Sequence, residues 1–71
     1  MTKEEFTPER MAQLTKFLPK NSKNIILKRV SGATYNRVCN TWYGRTYDAA
    51  IVSAIEQLND EISQKILKEY V

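Results

Sequence analysis

Histidine is missing from this chain of 71 residues, and cysteine occurs once, at Cys39. One thiol without an imidazole cannot build a four-ligand zinc site. It cannot form an internal disulfide either. The two glycines, Gly32 and Gly44, are too few for a Gly-rich phosphate loop. No cluster of acids has calcium-loop spacing. Hydroxyls are present, but no base stands in the sequence to activate one as a nucleophile. The inventory predicts a protein that is not an enzyme and takes no metal, cofactor or small-molecule ligand. No run of about 18 apolar residues occurs, so no membrane span is expected. The leading MTKEEFTPER lacks the apolar core of a signal peptide. A reduced, cytoplasmic setting is the expectation that follows.

At this length one domain over residues 1–71 is expected, with a thin stability margin that oligomerisation would widen. Hydrophobic residues make up 42% of the chain, which argues against disorder. The formal charge of +3 is modest, but its distribution is uneven. From Lys16 to Arg45 every charged residue is Lys or Arg. From Asp48 to Glu69 five acids face two lysines. A basic middle beside an acidic tail suggests that the middle meets a polyanion. The plainer reading is a solvated basic face.

Thr7-Pro8-Glu9 starts a helix: a capping hydroxyl, proline at the first helical position, then an acid in the first turn. Met11, Leu14 and Leu18 recur at helical spacing, with Phe17 beside them. A first helix is expected from about Pro8 to Leu18, stopped by Pro19. Ser22 is expected to cap a second helix whose apolar stripe is Ile26 and Val30. The β-branched content makes a strand the rival there, but no second strand stands ready to pair with it. Gly32 can take the positive φ that turns the chain, and Thr34 can cap a third helix running to about Tyr43, with Val38 and Trp42 inward. Gly44 ends that helix and Asp48 caps the next. Ile51, Ile55, Leu58, Ile62, Ile66 and Tyr70 then fall four, three, four, four and four apart. That is one apolar seam, expected on a single helix over about 49–70. Asn59-Asp60 is the place where it would break.

Two short helices joined by a tight Gly-containing turn, over about 22–43, make a helix-turn-helix, whose second helix can enter a major groove. On that helix Tyr35, Asn36, Cys39, Asn40 and Tyr43 share the face opposite Val38 and Trp42. Asn can bond an adenine edge bidentately, and Tyr and Thr can reach phosphates or thymine methyls. Lys23, Lys28, Arg29, Arg37 and Arg45 flank it, where a phosphate backbone would pass. The plainer alternative is a packing helix whose polar residues are merely solvated. Cys39 is expected to be a small face residue, with redox sensing the remote option.

The segment LKRVSGATYNRVCNTWYGR resembles the helix-turn-helix of lambda-repressor-like and Lac-repressor-like DNA-binding domains. Gly32 matches the family's turn glycine, Val38 its aliphatic six positions later, and Gly44 the glycine after the recognition helix. TYDAAIVSAIEQL resembles the helix that closes such bundles, and FLPKNSKNIILKRVSG the run into the motif. The resemblance covers roughly Leu18 to Leu58 and implies an all-α bundle of four or five helices. It puts Thr34, Tyr35, Asn36, Cys39 and Asn40 at positions that touch base edges or nearby phosphates, and Asn24 at a backbone contact. Two positions depart from the pattern. Lys28 stands where a small residue is usual, and Thr41 where an aliphatic is usual.

The second half of the seam extends past a bundle this small. Either two copies pair through Ile62, Ile66 and Tyr70, or the tail folds back as a fifth helix. The resulting expectation is a small transcriptional regulator of bacterial or phage type. It would be nucleoid-associated, dimeric and bound to double-stranded DNA. The rival is a small helical interaction module, an adaptor or antirepressor, acting through its acidic C-terminal helix.

Overall fold

The computed structural model describes the backbone of residues 1–70 and the side chains of residues 1–65. Over the described residues the chain is all-helical, with four helices and no strand: α1 (Pro8–Thr15), α2 (Ser22–Arg29), α3 (Tyr35–Trp42) and α4 (Ala49–Tyr70). Residues 25–29, where a strand was the rival, are helical, and residue 30 leaves the helix extended. No helix among the described residues is long and apolar enough to cross a membrane.

α1 begins as its sequence dictates. Thr7 is extended, its Oγ1 accepts the Arg10 N–H at 3.1 Å, and Pro8 takes the first turn. It ends at Thr15, earlier than the expected Leu18. The N–H of Lys16 bonds Gln13 O and that of Leu18 bonds Thr15 O, so the last turn tightens into i→i+3 bonds ahead of Pro19. Phe17 is thereby turned outward and lies 74% exposed.

α2 corrects the expected cap. Asn21, not Ser22, is its N-cap, and it makes no side-chain capping bond. Ser22 is the first helical residue and is fully buried, with an unpartnered hydroxyl. The reason is rotational: burying Ile26 on α2's inner face also buries the position four residues earlier.

α2 ends when Val30 turns extended. The Ala33 N–H then closes a turn onto Val30 O at 3.3 Å, with Gly32 at φ +79° in its third position. Gly32 thus serves the turn and not the helix terminus itself. α3 starts on Thr34, whose Oγ1 accepts the Arg37 N–H. It closes in a Schellman arrangement: Gly44 N–H to Thr41 O, and Arg45 N–H to Asn40 O at 2.8 Å. Gly44 sits at φ +78° against the start of α1, where a Cβ would overlap Pro8 Cα and N.

α4 is one helix of 22 residues, continuous through Asn59-Asp60. The seam stays in phase across that pair, and among the described residues there is no fifth helix, the alternative to pairing of two copies. Asp48 caps α4, its Oδ1 accepting the Ile51 N–H at 3.4 Å. The core joins all four helices. α1, α2 and α3 each bring one fully buried apolar side chain, namely Met11, Ile26 and Val38. α4 brings Ile51, Ala54, Ile55 and Leu58 to the same cluster. The N-terminal arm covers one side, with Phe6 edge-on to Tyr47 at 5.4 Å between ring centroids.

The two glycines are therefore unequal. Nothing lies within 4 Å of a Cβ built on Gly32. Gly32→Ala should cost only the left-handed backbone penalty, about 1–2 kcal/mol. Gly44→Ala adds backbone overlap with Pro8 and should cost clearly more. Urea unfolding followed by circular dichroism compares them; equal losses would mean that α1 gives way without penalty.

Candidate nucleic-acid interface

α3 buries Val38 and Thr41, not Val38 and Trp42 as the spacing suggested. Thr41 is 1% exposed, and its Oγ1 donates to Thr46 O at 3.0 Å. A buried hydroxyl is tolerated there because it is bonded. The pattern expects an aliphatic at this place, and the hydroxyl instead holds the α3–α4 connector. Trp42 is half-buried at the edge of the core. Lys28, at the other departure, is exposed and so does not stand between α2 and its neighbours, while Ser22 and Ile26 are the α2 residues that are buried.

The face opposite Val38 and Thr41 carries Asn36 and Tyr43 at its centre, 100° per residue around the helix. Asn36 is exposed, and Tyr35 and Tyr43 are about half exposed, at 50% and 51%. Cys39 and Asn40 lie on the same side but are half-buried. Asn40 also holds the end of α3, its carbonyl accepting the Arg45 and Thr46 N–H groups. Thr34 is exposed, but its Oγ1 already accepts the cap bond from Arg37 N–H. Its hydroxyl keeps its O–H donor and one lone pair to offer.

The cations divide into two groups. Lys23, from the first turn of α2, donates to the Tyr43 hydroxyl and lies 4.4 Å from that ring's centroid and 5.8 Å from that of Trp42. The bond to Tyr43 holds the Lys23 ammonium above its ordinary pKa range, with neighbouring hydroxyl and thiol groups adding to the effect. Arg45 stacks over the same Tyr43 ring at 5.8 Å. Tyr43 thus gathers two cations at the C-terminal end of α3. Neither is paired with a carboxylate among the described residues. Asn24 and Lys28 are exposed along α2.

Arg29 and Arg37 are held by acids instead. Arg29 forms a bidentate pair with Glu61 of α4, Nη1 to Oε2 and Nη2 to Oε1. Arg37 pairs with Asp48, and its Nη1 reaches Gly32 O at a long 3.5 Å. Arg37 therefore ties the turn before α3 to the cap of α4. The charge pattern gave no sign of these partners, because the acids stand 11 and 32 residues further along. Only the Asp48 cap was legible locally.

Of the seam positions, Ile62 is half-buried against this molecule's own core. Ile66 and Tyr70 lie outside the residues whose side chains are described. Glu56 is also engaged, accepting from the Met1 ammonium at 3.0 Å. Compared with protein-family models, curated proteins and solved structures, the chain matches none.

Asp48 gives a pH prediction. Burial raises its carboxyl pKa, but the Arg37 bond and the Ile51 and Ala50 N–H groups outweigh it, and the net shift is downward. A carboxyl depressed in the folded state adds stability above its unfolded pKa and loses it as pH falls through the folded one. Stability should therefore drop below about pH 4. Asp48→Ala, which removes cap and pair together, should cost about 1–2 kcal/mol at neutral pH. Asp48→Asn keeps a capping oxygen, so it should cost less and flatten the acid limb. Urea midpoints from pH 2 to 7 test this; an unchanged acid limb in Asp48→Asn would remove Asp48 from the account.

Proposed function

We propose that this chain binds double-stranded DNA in a sequence-specific manner, as a small transcriptional regulator with no catalytic step. In this reading α2, the Gly32 turn and α3 are a helix-turn-helix of the lambda-repressor-like kind. The observation that carries it is the outer face of α3: Tyr35, Asn36 and Tyr43 project to solvent with no acid among them, beside a cation pair gathered on Tyr43. An exposed amide on an exposed helix face is free to meet a base edge in both directions of hydrogen bonding. Lys23, Arg45, Lys28 and Asn24 then meet phosphates on either side, and counterion release supplies affinity.

The rival interaction module would need a free acidic surface on α4. Of the described acids of α4, Glu56 and Glu61 are each engaged by a cation of this same molecule and exposed Asp60 is the one left over, which weighs against it. Pairing of two copies along α4 would place two α3 helices about 34 Å apart and would call for a roughly palindromic site.

Random-oligonucleotide selection with the purified chain identifies the site. On that site Asn36→Ala should weaken binding by about 1–3 kcal/mol and relax discrimination at one or two base pairs. Asn40→Ala should do so less, since Asn40 is half-buried. A mobility-shift titration at fixed salt reads both. Unchanged discrimination removes these residues as readers, and enrichment of no sequence, with no dependence on salt, removes the DNA reading.

A further inference from the structure

Arg29 and Arg37 are both engaged by acids of α4 and its cap, but the two engagements differ in kind. Asp48 is a structural partner: its side chain is only 17% exposed, it also caps α4 through the Ile51 N–H, and Arg37 reaches back to the Gly32 carbonyl. Releasing Arg37 would leave the largely buried carboxylate of the α4 cap without its cation and loosen the turn. Glu61 has no such second duty. Its described bonds all go to Arg29, and both side chains face solvent, at 49% and 36% exposed. A pair this exposed is held weakly, because water and salt screen it. A phosphate offers Arg29 the same bidentate geometry that the carboxylate does. Arg29 is also the last residue of α2, next to the turn that delivers α3.

We infer that Glu61 is a built-in competitor for the DNA phosphate at Arg29: the α4 carboxylate occupies the guanidinium fork in the free protein, and a backbone phosphate replaces it on binding. This rests on the DNA-binding reading. The exchange moves no covalent bond; one anion replaces another on the same two N–H donors. Its consequence is that α4 lowers non-specific affinity, since a duplex must displace an internal anion before it gains that contact. Arg37 stays with Asp48 throughout and acts as a positioning residue for α3.

The test is the affinity for a fluorescent mixed-sequence duplex across a salt series, with circular dichroism confirming that each variant folds. Glu61→Gln should bind several-fold tighter at low salt while keeping the parent's log–log salt slope, since the Arg29–phosphate contact forms in both and only the displaced carboxylate is lost. Arg29→Met should flatten that slope by about 0.9. Asp60→Asn makes the same change in net charge at an exposed neighbour and should give a clearly smaller gain in affinity. Arg29→Met should abolish the gain when combined with Glu61→Gln. Equal gains from Glu61→Gln and Asp60→Asn, or a gain that survives in the double variant, would overturn the inference while leaving DNA binding intact. Absence of binding by the parent chain and all variants at low salt would overturn the DNA reading itself, and this inference with it.

Discussion

Burial of one face of α4 is the constraint on which the other elements depend. α1, α2 and α3 have eight residues each, well short of the roughly 12–15 that an isolated helix needs in water. Each supplies a single fully buried apolar side chain to the common core, and α4 supplies most of the rest. Three short helices are therefore stable only as they lie against the long one. The side chains they bury, Met11, Ile26 and Val38, set the rotation of each about its own axis. For α3 that rotation decides which residues meet solvent, so the composition of the outer face is a consequence of core packing.

Electrostatics follow the same geometry. α4 and its cap supply Asp48, Glu56 and Glu61, which engage α3, the N-terminus and α2 in turn. These contacts reinforce the hydrophobic docking at three separate places. They also subtract two arginines from the basic surface beside α3. What remains near the exposed face is the Lys23–Tyr43–Arg45 group, in which an aromatic ring holds two cations where carboxylates do not compete. The positive surface thus lacks two of the arginines in the run between Lys16 and Arg45, and Lys23 and Arg45 sit together at the C-terminal end of α3.

The two glycines divide the work of shaping α3. Gly32 takes a positive φ in an open turn, where a side chain would meet only backbone strain. Gly44 takes a positive φ in a closed one, where the Schellman bonds end α3 and the first turn of α1 packs over it. α1 is thereby locked to the end of α3, and the same bonds position Arg45 beside Tyr43. A helix terminator, a packing surface and a cation on the candidate interface depend on one residue without a Cβ.

Much of this architecture was written locally. The Thr7-Pro8 start, the Thr34 cap, the Asp48 cap and the unbroken α4 seam are decided by residues within a turn of one another, so propensity and periodicity were enough to find them. The end of α1, the burial of Ser22 and the exchange of Trp42 for Thr41 were not legible. Each depends on where a neighbouring helix lies, and no spacing within one helix reports that. The candidate face showed the same division. That α3 would carry Tyr35, Asn36, Cys39, Asn40 and Tyr43 on one side follows from a period of 3.6. Which of them are open to solvent, and which arginines already hold a carboxylate, was settled only when α4 packed across α2 and α3, because ion pairs between residues 11 and 32 positions apart are made by the fold and not by the chain.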